Sequence, residues 1–488
     1  MSCQARTHDA GERASLANRD TAALPAWLAE AFLTLAILIA AAAVRWQFVA
    51  IGIPAFLTPD SDDYVLPAYR LATSTGFDPE IRRTPLYPVF LASVFAFGGN
   101  LATVTAAQHV LGVVTCLLTY VLGRLAFGRI AGTIAGASIA ISGPQIIYEH
   151  YVMSEVLFTC VLTAFLVIAL WSAPRGTLPL IATGIAAALC ALTRPIGQAA
   201  YGLALMGPIL IRRTGRKRAT LTVLAAFLVA SGPWAVRGWL IHGESGATSA
   251  LGQALIGRTV RHDRGFVYDD PRRPDPDPVR AAARKIIQEE ARGEPSGGTI
   301  TARLQSELGL TPAQTAALLR SLAVEVILDQ PGYYASGTAR MAWQLFQGTN
   351  ERLLGSWRQR TTRNWDTKWG TELSALLDPE IPASGEPYER ADAITSAYQP
   401  WRWRSWIAAL FLLGTLAAIV RPGWRLALLP SAAALGLVGV AAAFDGLVWR
   451  FRYPVDPAIA VVAAGGISAC LTVVASGIRF ASTRLKRN

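Results

Sequence analysis

Ten runs of apolar residues, most of them close to the length of a membrane span, constrain this chain more than any other feature. A helix that crosses a bilayer needs about 20 mainly apolar residues. The runs lie near residues 26–48, 101–123, 130–146, 154–172, 178–193, 196–211, 219–239, 405–420, 425–443 and 455–477. A shorter run at 85–98 predicts a re-entrant or interfacial piece. The sequence therefore predicts an all-α polytopic membrane protein with about 10 transmembrane helices.

The composition favours a bilayer over a large water-soluble core. Apolar residues make up 52% of the 488 residues and charged residues 16%, whereas a soluble domain carries about 25% charge. The formal net charge of +12 would also suit a nucleic-acid-binding protein. The basic residues, however, gather in short tracts between apolar runs, such as 212–218 and 484–487. Such tracts are typical of topology determinants, so we expect no nucleic acid partner.

The distribution of charge predicts which side of the bilayer each turn faces. With a cytoplasmic N-terminus, the cytoplasmic segments receive basic residues: Arg124, Arg129, Arg175, the tract 212–218, Arg421, Arg425 and the tail. The opposite side receives acidic residues: Asp60, Asp62, Asp63, Asp78, Glu80, Glu149, Glu155 and Asp445. Positive charge marks cytoplasmic loops, and the Ala- and Arg-rich composition suits a bacterium. We therefore expect a multi-pass protein of the plasma (inner) membrane whose site faces the periplasm or the extracellular side.

The predicted organisation has five parts. They are a cytoplasmic tail (1–25), an N-terminal transmembrane module (26–239) with a first outer loop (50–100), an extracytoplasmic domain (240–404), C-terminal transmembrane helices (405–477) and a basic cytoplasmic tail (478–488). Thr311 and Gln314 have the spacing of a capping box and predict a helix start. A second helix is predicted at 333–347. We expect the extracytoplasmic domain to be small, mainly helical and packed on the membrane part.

The first outer loop holds the best candidates for chemistry. Three carboxylates, Asp60, Asp62 and Asp63, directly follow a span. Crowded carboxylates at a membrane surface can take a proton from a hydroxyl or amine, or hold a divalent cation such as Mg²⁺ or Mn²⁺. The same residues equally fit a solvated acidic loop that helps to orient the first span.

Arginines at the predicted outer ends of spans are candidates for holding a phosphate. They are Arg82, Arg83, Arg194, Arg237, Arg450 and Arg452. A lipid-phosphate leaving group at the membrane surface needs cations to offset its developing charge. The alternative is that these side chains snorkel to lipid headgroups. Arg194 stands apart because it lies between two apolar runs, where an ionisable residue indicates function.

Several motifs, taken in order, resemble one enzyme superfamily. They are Asp60-Ser61-Asp62-Asp63-Tyr64, Arg83-Thr84-Pro85-Leu86-Tyr87-Pro88, Ser154-Glu155, Leu192-Thr193-Arg194-Pro195, Pro233-Trp234 with Arg237, and Arg452-Tyr453-Pro454. Their order over most of the chain resembles the GT-C membrane glycosyltransferases. The closer likeness is to the branch of protein O-mannosyltransferase-like enzymes and lipid A aminoarabinose transferases (glycosyltransferase family 39).

The resemblance implies an enzyme that passes a sugar from a polyprenyl-phosphate donor to a glycolipid, glycan or protein acceptor outside the cytoplasm. Asp60 would deprotonate or orient the acceptor, and its neighbours Asp62 and Asp63 would substitute for it or bind a metal ion. Glu155 would be the second acidic residue. Substrate-binding candidates are Tyr64, Arg82, Arg83, Tyr87, His150, Arg194, Arg237, Arg450 and Arg452. Some branches have a second acidic residue where this chain has Ser61. The resemblance therefore leaves open whether Asp60, Asp62 and Glu155 bind a divalent cation.

Two other classes remain alternatives. A lipid-linked polysaccharide polymerase or ligase would use the outer arginines without an acidic first loop. A transporter or flippase would show inverted repeats and interrupted spans, and the sequence shows no such symmetry. No Gly-rich phosphate loop is present, so neither ATP nor a nicotinamide is expected.

Overall fold

The computed structural model describes residues 26–73, 76, 83–211, 215–242, 247–293, 297–348, 373, 376, 386–397 and 404–485. Within these ranges the chain is almost entirely helical, and its extended pairing is an isolated bridge between Phe56 and Tyr151. The protein is an all-α polytopic membrane protein, as predicted.

The helices follow the apolar runs closely. The N-terminal part contains α1 (Ala26–Val49), α2 (Asp62–Ala72), α3 (Leu86–Ala96), α4 (Leu101–Phe127), α5 (Arg129–Ala140), α6 (Gly143–Tyr148), α7 (Glu155–Ser172), α8 (Thr177–Thr193), α9 (Ala199–Ile211) and α10 (Arg216–His242). The remainder contains α11 (Ala247–Gly257), α12 (Pro278–Ala291), α13 (Gly297–Leu308), α14 (Pro312–Asp329), α15 (Pro331–Gln347), α16 (Glu386–Ala397), α17 (Arg404–Val420), α18 (Leu428–Phe444) and α19 (Asp456–Leu485).

Six helical stretches of the described chain are long and apolar enough to cross a membrane. They are Trp27–Val49, Leu101–Phe127, Glu155–Ser172, Arg216–Ile241, Pro422–Phe444 and Trp449–Ser476. Shorter apolar helices lie at Leu86–Ala96, Thr177–Thr193 and Ser405–Val420. The predicted interfacial piece at 85–98 is thus a short apolar helix, α3.

The predicted third span, 130–146, is divided into α5 and α6. Ser142 has an extended backbone (ψ 109°), and Pro144 lies in the first turn of α6. A proline has no N–H to donate and its ring clashes with the preceding turn. The helix therefore ends before Pro144 and restarts around it, and the restarted turn leads into the 149–154 segment.

Glycines let neighbouring membrane helices approach closely. A Cβ atom on Gly123 of α4 would lie 2.8 Å from Gly132 Cα of α5. At another crossing, a Cβ atom on Gly414 of α17 would lie 2.0 Å from Val462 O of α19. Small residues at such crossings allow backbone contact, which is how helices pack in a lipid environment.

The helices α11 to α14 share a separate apolar core, which is distinct from the membrane bundle. Its largest members are Leu255, Ile256, Phe266, Tyr268, Leu304, Leu319 and Leu322. The predicted capping box is confirmed, because Thr311 Oγ1 accepts from Gln314 N at 3.3 Å and Gln314 Oε1 accepts from Thr311 N at 2.9 Å.

Helix α15 packs on the membrane helices. Its residues Met341, Leu345 and Phe346 belong to the largest apolar cluster of the bundle. The ring of Phe346 lies 4.9 Å from that of Phe411 in α17. The helical region between residues 247 and 348 is therefore attached to the C-terminal spans through α15. The predicted boundaries of the extracytoplasmic domain remain predictions.

Charged contacts distinguish the two ends of the bundle. At one end, Glu30 of α1 pairs with Arg124 (2.8 Å) and Arg129 (3.2 Å) at the junction of α4 and α5. These two arginines belong to the set predicted to face the cytoplasm. Glu149, from the set predicted to lie on the opposite side, pairs instead with Arg45 near the other end of α1.

Candidate active site

The first outer loop is fixed to the segment between α6 and α7. Phe56 N donates to His150 O (2.9 Å), and Val152 N donates to Phe56 O (3.0 Å), in the parallel bridge with Tyr151. Ser61 Oγ donates to Val152 O at 3.0 Å. These contacts place the acidic turn before α2 beside the N-terminus of α7.

Asp60 lies in a single helical turn, Pro59–Ser61, immediately before α2. Ser61 Oγ accepts from Thr58 N at 2.9 Å, which gives the turn a capping-box arrangement. A proline at the first helical position is pre-organised for such a turn. Asp60 therefore stands on a backbone whose hydrogen bonds are satisfied locally.

Six charged side chains meet in one group, which we name the arginine–carboxylate cluster: Asp60, Asp63, Glu155, Arg83, Arg194 and Arg450. Arg83 Nη2 lies 2.9 Å from Asp60 Oδ1, and Arg83 Nε lies 3.0 Å from Asp63 Oδ2. Arg450 Nη1 lies 2.5 Å from Asp60 Oδ2, and Arg450 Nε lies 3.7 Å from Glu155 Oε1. Arg194 Nη1 lies 2.6 Å from Glu155 Oε1. Asp60 of the first loop thus meets Arg450, which lies 390 residues further along the chain.

The buried side of the cluster is formed by helix ends. Glu155 begins α7, and its side chain is 2% exposed. Arg194 follows α8 in an extended conformation (φ −151°), and its Nη1 also lies 3.2 Å from Ser154 Oγ. Thr84 Oγ1 donates to Thr193 O at 2.7 Å, which brings the chain beside Arg83 next to Arg194. The other two carboxylates, Asp60 and Asp63, are 31% and 43% exposed, so the cluster is open on one side.

Aromatic rings support the guanidinium groups. Arg83 lies 5.4 Å from the ring centre of Tyr64, whose hydroxyl is 3.1 Å from Ser154 Oγ. Arg194 and Arg450 both stack on Phe451, at 5.2 and 5.4 Å. Such cation–π contacts hold an arginine without satisfying its N–H donors. The donors therefore stay available for anionic partners.

The electrostatics of the cluster are balanced, with three positive and three negative side chains. Burial tends to raise the pKa of Asp60, but the charges of Arg450 and Arg83 outweigh burial and lower its pKa. Asp60 is therefore ionised at neutral pH and accepts from both arginines. A carboxylate held in this way is a poor proton acceptor while both arginines remain in place.

A second buried group, which we name the Glu149 network, supports the segment that carries Glu155. It consists of Arg45, Gln108, His109, Glu149 and His150. Arg45 binds Glu149 through two N–H groups (2.6 and 2.8 Å), and His109 Nδ1 lies 2.7 Å from Glu149 Oε2. Gln108 Nε2 donates to the carbonyl of Glu149 at 2.9 Å.

His150 belongs to this network and has no described contact with the cluster. Its ring lies 3.1 Å from that of His109 through Nδ1, and its Nε2 is 2.9 Å from Ile53 O. Burial, together with the neighbouring His109, lowers the pKa of His150 to about 3. It is therefore neutral at physiological pH. Tyr87 also contacts this network, because its hydroxyl donates to Gln108 Oε1 at 2.8 Å.

Two of the predicted arginines have their described contacts outside the cluster. Arg237 stacks on Trp234 of its own helix at 4.9 Å. Arg452 donates to Phe346 O at 3.1 Å and pairs with Asp456, so it ties α19 to α15. Arg82 lies outside the described residues. These placements separate Arg83, Arg194 and Arg450 as the arginines that converge.

The carboxylates proposed for a divalent cation are engaged otherwise. Both oxygens of Asp60 face guanidinium groups, and Glu155 Oε1 faces two. Asp62 lies in the first turn of α2. In the described part of the chain, no group of three or more His, Cys, Asp or Glu residues could hold a metal ion. Since divalent cations take several oxygen ligands, this arrangement does not fit Mg²⁺ or Mn²⁺.

The structure adds residues that sequence reasoning did not select. Asp445 follows α18, and the charges of Arg194 and Arg450 act on its carboxylate. Arg45 lies within an apolar run, where an ionisable residue is itself a signal, and it could have been found in this way. Phe451 and Ser154 carry no comparable signal, because only the folded chain places them beside arginines.

Comparisons with known proteins give distant likenesses in structure. No protein-family model matches this chain, and no curated protein sequence matches it. The structure is similar to the archaeal oligosaccharyltransferase AglB from Archaeoglobus fulgidus in complex with an inhibitory peptide and a dolichol-phosphate (12% identity, TM-score 0.48, covering 93% of this chain and 52% of that chain). It is also similar to ArnT from Cupriavidus metallidurans bound to undecaprenyl phosphate (15% identity, TM-score 0.38, covering 91% and 79%).

A second Archaeoglobus fulgidus oligosaccharyltransferase structure, a complex with Zn and sulfate, is similar at 13% identity and a TM-score of 0.42, covering 92% of this chain and 51% of that one. This chain thus spans about half the length of the oligosaccharyltransferase. These neighbours are GT-C membrane glycosyltransferases, the superfamily that the motifs resemble. Identity and TM-score are low throughout, so the substrate of this chain is inferred below from its own residues.

Proposed function

We propose that this protein is an inverting membrane glycosyltransferase of the GT-C type, which takes a hexose or pentose from a polyprenyl-phosphate donor. The acceptor is a glycolipid, an envelope glycan or a protein on the outer side of the plasma membrane. One observation carries the proposal: Arg83, Arg194 and Arg450 converge on Asp60 and Glu155 at one end of the membrane helices.

Such a convergence suits a lipid-linked phosphate. Guanidinium groups bind phosphate oxygens through paired N–H donors, and their positive charge offsets the charge that develops on the leaving phosphate. The three arginines lie at the ends of membrane helices, at the level where a lipid headgroup would sit. In the absence of phosphate their charge is balanced by the carboxylates. A phosphate would therefore enter by replacing a carboxylate at one or two of these donors.

The contacts favour an orienting role for Asp60 over that of a base. Its two oxygens hold Arg83 and Arg450 in fixed positions, and the same two arginines lower its pKa. A group of this kind positions the phosphate-binding donors. Tyr64 and Asp63 lie on the same helix beside Arg83 and would contact the donor from that side. The region 240–404 would help to shape the acceptor cavity.

The proposal is tested by mass spectrometry of envelope glycolipids, glycans and proteins from cells with and without the gene. Loss of a single hexose or pentose mass from one acceptor is the expected result. A change in glycan chain length, with no single-sugar loss, would instead indicate a polymerase or ligase. Identical envelopes, together with no binding of undecaprenyl phosphate by the purified protein in native mass spectrometry, would rule the proposal out.

Asp60→Asn is expected to lower transfer by about 10²-fold, because small displacements of positioning groups cost about that much. Binding of undecaprenyl phosphate is expected to be at least as tight as in the wild type, since Asp60 competes with phosphate for the same donors. Transfer in isolated membranes and native mass spectrometry measure the two effects. Much weaker lipid binding would contradict the competition between Asp60 and phosphate for these donors.

Chelation of divalent cations is expected to leave transfer unchanged, because guanidinium groups occupy the oxygens that a cation would need. The measurement is transfer in membranes washed with EDTA, compared with membranes to which Mg²⁺ or Mn²⁺ is restored. A loss of transfer that either cation restores would contradict the proposed arginine-based stabilisation.

A further inference from the structure

The turn after α18 brings another carboxylate to the cluster. Asp445 N and Gly446 N both donate to Ala441 O, at 2.9 and 3.0 Å. Gly446 has a φ of 80°, a conformation that favours glycine. Four residues further on, the turn continues into Arg450, which contacts Asp60. Asp445 is therefore held by a tight turn that leads directly into the arginine–carboxylate cluster.

A turn of π-helix, Arg258–Asp263, packs against this turn. Arg258 Nε donates to Ala442 O at 2.8 Å, and a Cβ atom on Gly446 would lie 2.5 Å from His262 Cδ2. Arg258 is fully buried and pairs with Asp263. Single π-turns of this kind occur frequently at functional sites. The region that follows α10 thus fixes the end of α18, and with it Asp445.

A second contact from the same region reinforces the turn. Tyr334 of α15 donates to Ala443 O, and the guanidinium of Arg258 lies 5.3 Å from the ring centre of Tyr334. Two successive carbonyls at the C-terminus of α18 are therefore bound by side chains. Unpaired carbonyls at a helix end need such partners. The position of Asp445 is accordingly determined by packing.

Asp445 differs from the other carboxylates of the site in its contacts. Asp60, Asp63 and Glu155 each form an ion pair with an arginine. Among the described residues, Asp445 forms no ion pair or side-chain hydrogen bond, although it is half-buried and the charges of Arg194 and Arg450 act on it. Its oxygens are free to accept a proton or a hydrogen bond from a substrate.

Resting on the proposed function, we propose that Asp445 is the catalytic residue that takes the proton from the acceptor. An Oδ atom of Asp445 accepts the proton of the acceptor hydroxyl or amine. The acceptor oxygen or nitrogen then forms a bond to the anomeric carbon of the sugar. The bond between that carbon and the phosphate oxygen breaks, and the polyprenyl phosphate leaves with the electron pair beside Arg194 and Arg450. The proton passes from Asp445 to water or to the departing phosphate.

The electrostatics of Asp445 agree with this role. Burial raises the pKa of Asp445, and the charges of Arg194 and Arg450 only partly oppose the effect of burial. Two titratable side chains of the π-turn, Arg258 and His262, lie beside this turn. The pKa of His262 is lowered to about 4, mainly by burial. A carboxylate of raised pKa is a stronger proton acceptor than Asp60, whose pKa is lowered.

The test compares Asp445→Asn, Asp445→Glu and the wild type in membranes of cells that lack the gene, which supply donor and acceptor. Asp445→Asn is expected to lower transfer by about 10²- to 10⁴-fold and to bind undecaprenyl phosphate as the wild type does. Asp445→Glu is expected to retain part of the rate. The matched control is Asp269→Asn, an exposed carboxylate outside the site, and it should transfer normally.

The pH dependence of the transfer rate gives an independent measurement. Wild-type transfer should fall below the pKa of Asp445, and this acidic limb should be absent from the residual rate of Asp445→Asn. Full transfer by Asp445→Asn would overturn the inference. Joint loss of transfer and lipid binding would also overturn it, because the carboxylate would then hold the site together. Failure of the wild type to transfer or to bind undecaprenyl phosphate would instead refute the proposed function.

Discussion

Replacing Arg450 by methionine is expected to lower transfer by about 10²- to 10³-fold, the usual cost of removing one donor aimed at a developing negative charge. Arg450 Nη1 lies 2.5 Å from Asp60, and its Nε lies 3.7 Å from Glu155, so it links the two halves of the cluster. Its ring contact with Phe451 (5.4 Å) leaves its N–H groups facing the carboxylates. Under the proposed function the same N–H groups bind the lipid phosphate.

Arg450→Met should weaken binding of undecaprenyl phosphate as well as transfer, which sets it apart from Asp60→Asn. Arg450→Lys retains the charge but cannot reach two partners at once, so it should keep only part of the activity. Arg292→Met, at an exposed position beyond α12, serves as the control. Native mass spectrometry and transfer in isolated membranes check both effects. Normal lipid binding by Arg450→Met would contradict the assignment of the phosphate site.

Much of the fold could be predicted because apolar length alone locates membrane helices. The run at 26–48 corresponds to α1, and the run at 154–172 corresponds to α7. The prediction was less exact where a proline interrupts an apolar run, as at Pro144 between α5 and α6. The extracytoplasmic region was predicted to pack on the membrane part, but the sequence did not indicate that α15 makes this contact. Its sequence is amphipathic, and the partner of an apolar face is decided by tertiary contacts.

The site was predicted in its residue types more than in its geometry. The motif order selected Asp60, Arg83 and Glu155, and the placement of an arginine between apolar runs selected Arg194. Nothing in the sequence, however, tells that Arg450 reaches Asp60 while Arg452 turns to Asp456. Arg450 and Arg452 are two residues apart in a tight turn, and their side chains point in different directions. That difference depends on backbone dihedral angles, which composition and spacing do not report.

The contacts of the Glu149 network could not be predicted from the sequence either. Arg45 is buried near the end of α1 and bonds Glu149 as well as Ala41 O and Ala140 O. A buried charge is tolerated only when it is paired and its remaining donors are satisfied. The partner lies about a hundred residues away. This pairing holds the segment after α6, and that segment carries Glu155 into the cluster.

Gly112 gives the sharpest test of this network. A Cβ atom on Gly112 of α4 would lie 2.0 Å from Glu149 Oε1 and 2.8 Å from Arg45 Nε. Gly112→Ala must therefore separate the buried pair, and breaking such a pair costs about 3–5 kcal/mol. The expected result is a large fall in the thermal unfolding temperature of the purified protein in detergent. Transfer should fall with it, because Glu155 follows the same segment.

The matched control is Gly436→Ala, in the membrane helix α18, where an added Cβ atom would meet nothing within 4 Å. Glycine in a helix interior costs about 0.5–1 kcal/mol relative to alanine, so this variant should unfold at the wild-type temperature or slightly above it. The two substitutions are chemically identical, and both lie in membrane helices. Equal unfolding temperatures would mean that the pair between Arg45 and Glu149 contributes little. A much lower unfolding temperature for Gly112→Ala than for Gly436→Ala would show that this pair stabilises its end of the bundle.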